Sequence, residues 1–320
     1  MLLFFIPVLL IVYLYWWRRD KQKIENVIGN YIFITGCDTG FGNAAAKRFD
    51  KLGFHVLAGC FTEKGALQLQ AVTSERLKTV QMDISKPDSV KKAAEWVKSQ
   101  VGEQGLWGLI NNAGISGIIA PTDWLKIDHF RKPIEVNLLG TIDVTLNVLP
   151  LLKKRKGRIV IVASVLGRVA PHGGGYSPSK FGLEGFNDSL RRDMQPFEIK
   201  VSCIEPGLFK TGMNNDNKQY EAKLALWNEV PTVVRKQYGD NYFHKSEEQM
   251  LKHRESLFKD DLSPVVKCME HAMIAKYPRT RYSVGSDAAF LWLPLSYMPS
   301  VLQDIAVCRT KIKLANPNFV

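Results

Sequence analysis

The chain is short of everything that would build a metal site or a disulfide scaffold. Its five cysteines, at positions 37, 60, 203, 268 and 308, include no C-x-x-C pair and suggest no even framework, so a reducing compartment fits. The six histidines form neither H-x-x-x-H nor H-E-x-x-H, and no metal is expected. Internal repeats and low-complexity tracts are also missing, which excludes solenoid and linker architectures. Charge is absent from Met1 to Trp17, and this is the most consequential gap. Seventeen apolar residues reach the lower limit of the ~17–25 needed to span a bilayer. Pro7 is placed to kink the run, and Tyr13, Tyr15, Trp16 and Trp17 read as an interfacial aromatic belt. The rival, a cleaved signal peptide, would need a basic start and a small-residue cleavage site, and neither precedes the basic flank. Arg18, Arg19, Lys21 and Lys23 follow, so the positive-inside rule puts the remainder on the cytoplasmic side.

The formal net charge of +12 comes from scattered residues with no nucleic-acid motif. Solvated lysines and attraction to an anionic membrane surface account for it. The 46% hydrophobic content is that of a globular protein, and 320 residues suffice for one large α/β domain with appendages.

Strand-like and helix-like runs alternate over the first two hundred residues. Strands are expected at Tyr31–Ile34, His55–Ala58, Leu77–Asp83, Gly105–Ile110, Ile159–Ala163, Lys200–Ile204 and Arg281–Gly285. Helices are expected over about 63–75, 87–101, 124–154, 176–194 and 264–275, with Pro133 and Pro150 as kinks or ends of the long one. Right-handed crossovers then give a Rossmann-like doubly wound parallel sheet with helices on both faces, and a ligand crevice at the strand C-terminal ends. Residues 18–27 read as a basic linker and 28–285 as the catalytic domain. The charged, weakly periodic stretch 207–261 reads as a substrate lid or a surface insertion, and 286–320 as a membrane-associating or packing extension.

Three local constellations carry chemistry. Thr35-Gly36-Cys37-Asp38-Thr39-Gly40-Phe41-Gly42, between a strand and a helix, lets backbone N–H groups approach a pyrophosphate, although its spacing departs from G-x-G-x-x-G. Cys37 within it reads as a small spacer. Tyr176 and Lys180, four apart on one helix face, set an ammonium beside a phenol, which favours the phenolate. Y-x-x-x-K alone is common on amphipathic helices. Here Ser164 closes the apolar run before that helix and aims at the same space.

Taken together, T-G-x-x-x-G-x-G, Asn111-Asn112-Ala113-Gly114, Ser164 and Y-x-x-x-K resemble the short-chain dehydrogenase/reductase superfamily from about Ile28 to Gly285. Gly173-Gly174-Gly175 before Tyr176 and Ile204-Glu205-Pro206-Gly207 after it are similar to the retinol and hydroxysteroid dehydrogenase branch. The resemblance implies that Tyr176 takes the substrate hydroxyl proton, Ser164 binds the substrate oxygen, Lys180 serves both the phenol and the nicotinamide ribose, and Asn137 anchors a relay water. It implies cofactor contacts from Thr35, Gly36, Asp38, Thr39, Gly40, Phe41, Gly42, Asn111, Ala113, Gly114, Tyr176, Lys180, Pro206, Gly207 and Thr211. Asp83 would bind the adenine amine by the same resemblance, whereas an Asp before Ser85-Lys86-Pro87 otherwise reads as a helix cap. No Arg stands between Gly59 and Thr62, which favours NAD over NADP, with Lys64 the residue that could reverse this. The implied substrates are lipophilic alcohols, all-trans-retinol or a 3α-hydroxysteroid, with an oxidised fatty acid also open. The implied location is the endoplasmic reticulum (microsomal) membrane, and a homo-oligomer is expected. The alternatives are an NADPH-dependent carbonyl reductase and a non-catalytic, membrane-tethered cofactor-binding scaffold.

Overall fold

Seven parallel strands form one sheet in the order β3-β2-β1-β4-β5-β6-β7: β1 (Tyr31–Thr35), β2 (His55–Cys60), β3 (Leu77–Gln81), β4 (Gly108–Asn111), β5 (Arg158–Val162), β6 (Lys200–Pro206) and β7 (Arg281–Val284). The computed structural model describes residues 2–212, 216–309 and 312–318; the side chains of residues 2–9, 11, 216–218, 253 and 254 lie outside that description. Central strands are buried on both faces, as in Arg158–Val162, so that Ile159-Val160-Ile161-Val162 reads as a continuous apolar run rather than an alternating one.

Two apolar layers sandwich the sheet. On one face α2 (Gly40–Lys51), α3 (Glu63–Gln70) and α11 (Ser263–Ile274) bury Ala45, Phe49, Leu69, Val265 and Met269 against Ile32, Ile34 and Val160. On the other, α4 (Pro87–Val101), α6 (Thr141–Arg155) and α7 (Tyr176–Asp193) bury Val90, Val97, Val148, Leu152 and Leu183 against Phe33, Leu109 and Ile161. The expected doubly wound α/β fold is therefore the observed one.

Element ends depart from the sequence reading where local chemistry intervenes. α3 stops at Gln70 instead of near Glu75, and a turn leads on toward β3. The long helix does not end at its prolines: α5 (Ile127–Pro133) runs through seven π-helical residues, Ile134–Gly140, into α6. Pro133 has no N–H to give, and the widened turns that follow carry the helix past the missing bond. Among the described residues Ile127–Arg155 has the length and apolarity to cross a membrane. It is a core helix, because Val144, Val148 and Leu151 face the sheet layer.

α1 (Leu2–Asp20) covers the apolar N-terminal run. The stretch read as a linker is packed: Ile24 N–H donates to Ile274 O at 2.9 Å, and Lys276 N–H donates to Gln22 O at 2.8 Å. Residues 207–261 hold α8 (Asp216–Glu229), α9 (Thr232–Tyr238) and α10 (Tyr242–Leu257), and residues 213–215 of the expected lid lie outside the described residues. The three helices close on a small core in which Trp124 meets Trp227 at 4.6 Å between ring centroids and Tyr238 at 5.1 Å. After β7 come a π turn at Ala288–Trp292, α12 (Leu293–Ser296) and α13 (Ser300–Cys308).

Candidate active site

The sheet order brings the glycine turn after β1, the Asn111–Gly114 segment after β4 and Ser164 after β5 to the same edge, because parallel neighbours end together. Gly36 adopts φ +71°, and a Cβ on it would stand 2.7 Å from Ala113 Cα. A Cβ on Gly42 would stand 2.2 Å from Gly36 O and 2.5 Å from Asn112 Nδ2. Only glycines let this turn close. Thr39 begins α2 without a side-chain cap, so the first-turn N–H groups of the helix stay available to an anion. Thr211 and Gly212 abut Gly40 and Thr39, which brings the segment after β6 to the turn. Phe41 packs edge-on against Phe209 at 5.6 Å.

Several of the residues expected at the cofactor use their side chains to tie the surrounding loops together. Thr35 is buried, and its Oγ1 accepts from Asn112 N–H and Ala113 N–H, both at 3.0 Å. Asn111 gives its amide to Thr145 Oγ1 at 2.8 Å. Asn112, which the motif contained but sequence reasoning left without a role, donates to Thr35 O and Gly36 O and so ties the two loops together. Asp38 accepts from Phe61 N–H at 2.7 Å, Thr62 N–H at 2.8 Å and Thr62 Oγ1 at 2.6 Å, which pins the loop after β2 to the glycine turn. Asp83 is a turn residue, accepting from Ser85 N–H and Ser85 Oγ through Oδ1. It also lines an open cleft of about 590 Å³ with Phe61, Thr62, Glu63, Gln81, Met82 and Ser89. The expected helix-cap role is not what forms: Lys86 is the N-cap of α4, and Asp83 closes the turn before it by bonding to Ser85. Pro206 ends β6, and Gly207 follows with no room for a side chain, since a Cβ would sit 2.1 Å from Asp287 Oδ2. Asp287 in turn accepts from Leu208 N–H at 2.8 Å and pairs with Lys259 at 2.7 Å. Nothing local in the sequence marks that trio.

Tyr176 and Lys180 open α7, and Ser164 ends the chain's run out of β5. Lys180 is 3% exposed, its Nζ donates to Val162 O at 2.9 Å, and it lies 5.6 Å from the Tyr176 ring centroid. Burial pushes the ammonium down to about 8. Desolvation pushes the Tyr176 phenol above its ordinary value, and a hydrogen bond with Ser164 opposes the shift. The shift runs opposite to the expected lowering of the phenol, because desolvation outweighs the Ser164 hydrogen bond that favours the phenolate. Asn137 is fully buried in the π-helical stretch. Its Oδ1 accepts from Ile115 N–H at 2.8 Å, and its Nδ2 donates to Ile115 O at 2.9 Å and Ser179 Oγ at 2.9 Å. Ser179 Oγ donates to Tyr176 O at 2.6 Å, so the amide and the tyrosine backbone share one network. Ser179 was missed in the sequence because a small polar residue inside a helix carries no signal of its own.

A family model described as short chain dehydrogenase matches residues 30–222. The chain belongs to the short-chain dehydrogenase/reductase family. Among its relatives it is similar to dehydrogenase/reductase SDR family member 9 of Bos taurus, 57% identical over 100% of both chains. Retinol dehydrogenase 16 of Homo sapiens is 50% identical over 91% of this chain and 92% of the relative. 17-beta-hydroxysteroid dehydrogenase type 6 of Homo sapiens is 47% identical over 93% and 94%. A short-chain dehydrogenase/reductase from Burkholderia phymatum in complex with NAD shares the fold, with a TM-score of 0.68 at 21% identity over 91% of this chain and 99% of that one.

Membership makes the chain an oxidoreductase whose fold binds a nicotinamide dinucleotide. The glycine cradle, the uncapped α2 N-terminus and the cleft beside β2 and β3 fit such a cofactor in size and chemistry. Cys37, inside the turn, is buried, donates to Ile34 O at 3.3 Å and has its thiol pushed well up by burial, as suits a small spacer. Among the described residues no three His, Cys, Asp or Glu side chains group as a metal would need.

Proposed function

We propose that this chain is a membrane-anchored, NAD-dependent dehydrogenase of lipophilic alcohols, oxidising all-trans-retinol to retinal or a 3α-hydroxysteroid to the ketosteroid. The observation that carries the reading is the convergence of Tyr176, Lys180, Ser164 and the buried Asn137 network beside a glycine cradle. Relatives named for retinol and hydroxysteroid oxidation support the substrate class. The membrane part of the reading, a microsomal location with α1 as the anchor and the catalytic domain on the cytoplasmic side, is supported by the apolar run of α1 and the basic residues that follow it.

In this mechanism the Ser164 hydroxyl binds the substrate oxygen and Tyr176 Oη removes its proton as the C–H bond breaks. When bound, the oxidised nicotinamide supplies the hydride acceptor. Lys180 stabilises the phenolate by its charge, which a raised phenol pKa makes more necessary. Proton transfer by a positioned side chain is worth ~10²–10⁴ in rate. Asn137 holds the Ile115 backbone and, through Ser179, the first turn of α7 in register with the substrate side. Glu63 lines the cleft after β2 and Asp38 bonds to Thr62 beside it; carboxylates there would repel a ribose 2′-phosphate, which supports NAD.

The test is kcat/KM for a retinoid and a steroid alcohol with NAD and NADP in purified membranes. NAD preference with one or both alcohols is expected. A clear NADP preference with both, or no turnover of either alcohol by folded protein, would reject the proposal.

A further inference from the structure

The end of α1 is fastened to the catalytic domain at one corner. Asp20 pairs with Arg279, its carbonyl meets His271 Nε2 at 2.7 Å, and His271 Nδ1 meets Tyr282 Oη at 2.8 Å. With the backbone bonds of Gln22 and Ile24 to Lys276 and Ile274, these contacts all fall on α11, β7 and the turn between them. Among the described residues β7 is an edge strand of the sheet. Cations and aromatic rings interleave at this corner, with Arg19 4.3 Å from the Tyr277 ring and Lys21 3.6 Å from the Trp17 ring.

At the other end of β7, about 13 Å away for four residues, the chain turns apolar and outward. Phe290 is 84% exposed, Val301 66% and Ile305 60%. Val301 and Ile305 lie four apart on one face of α13. Single exposed apolar residues are ordinary, but a run of them marks a contact surface.

We propose that the β7 edge is the wall on which the protein rests against a phospholipid bilayer, touching it at two places: the cationic corner at the α1 joint and the segment Phe290–Ile305. This rests on the membrane-anchored reading above. Lipid is favoured as the occupant because the corner gathers Arg19, Lys21, Lys23 and Lys276 beside the apolar α1, a pairing of cations with an apolar run that anionic headgroups and acyl chains complement together. Continuity argues the same way, since the corner is where the apolar α1 leaves the domain. One anchor alone would let the domain swivel; a clamped helix and a second contact hold it in one pose. The pose has a use. Asp287, at the root of the apolar segment, packs on Gly207 and pairs with Lys259 next to the α8–α10 helices, so lipid-dissolved substrate would meet the site at the bilayer surface.

The full chain is reconstituted in phosphatidylcholine–phosphatidylserine vesicles in a Cys308→Ser background. An environment-sensitive fluorophore is placed at Tyr277→Cys, Val301→Cys or, on the opposite sheet edge, Lys78→Cys. Lipids brominated near the headgroup should remove most of the emission at 277 and 301 and leave that at 78. Hydrogen exchange of the unmodified chain checks the same contact without substitution, and α13 amides should slow when vesicles are added. Protein that floats with vesicles while the 301 probe stays unquenched and α13 exchange is unchanged overturns the two-point contact. Protein that does not float overturns the anchored reading itself.

Discussion

Replacing Lys180 by Met tests the electrostatics of the site without measuring catalysis. The side chain is 3% exposed, and burial lowers its pKa from 10.5 to about 8. Between those two values the unfolded chain carries a proton on Lys180 that the folded chain has given up, so wild-type stability rises with pH across that window. Below pH 8 both states are charged and the full burial penalty acts. The gap corresponds to about 3 kcal/mol. Met has similar length and no proton to lose, so the difference in unfolding free energy, wild type minus Lys180→Met, should grow by about 3 kcal/mol from just below pH 8 to pH 10.5. Near neutrality the two should lie closer together, because the Met variant escapes the penalty but leaves Val162 O without its donor, at a cost of about 1–3 kcal/mol. The measurement is urea unfolding of the cofactor-free full chain in detergent micelles, followed by tryptophan fluorescence at constant ionic strength. Tyr176 is present in both proteins, so its own titration largely cancels. A difference that stays flat or falls with pH would refute the reasoning, since it would mean that Lys180 titrates like a solvated amine.

Tyr176→Phe should lower alcohol oxidation by at least about 100-fold while NADH affinity, read by fluorescence titration, stays near wild type; substantial turnover in folded protein would remove Tyr176 from the proton-transfer role. Gly42→Ala puts a Cβ against the Gly36 carbonyl and should cost about 1–3 kcal/mol of stability, with weaker NADH binding; unchanged values for both would show that the turn yields freely. Gly185→Ala meets nothing within 4 Å in the middle of α7 and should raise stability by about 0.5–1 kcal/mol, so a loss there would point to a contact outside this chain. Asp38→Ser frees the loop after β2 and removes a carboxylate, and it should shift the ratio of NADPH to NADH affinity toward NADPH; an unchanged ratio assigns discrimination to other residues.

The fold was legible because parallel strands buried on both faces read as near-continuous apolar runs, as Ile159–Val162 does, and because each alternates with a helix that covers it. The glycine turn and the Tyr176/Lys180 pair were legible for a similar reason: a positive φ and a four-residue helical spacing impose local rules that residue types obey. Boundaries were less so. Pro133 reads locally as a break, yet the packing of Val144, Val148 and Leu152 against the sheet favours continuing the helix through a π segment.

What sequence could decide was which residues meet backbone or spacing constraints of their own, and that covered the doubly wound sheet, the glycine turn and the Tyr176/Lys180 pair. The direction of the Tyr176 shift, the Asn137–Ser179–Tyr176 chain, the clasp of Asp38 on Thr62 and the joint of Asp20 with Arg279 belong to the tertiary structure alone. Desolvation depends on everything packed around a group, and those partners lie tens to hundreds of residues apart in the chain. No local pattern in the sequence encodes such a meeting; only the closed sheet and its helices bring the groups into contact.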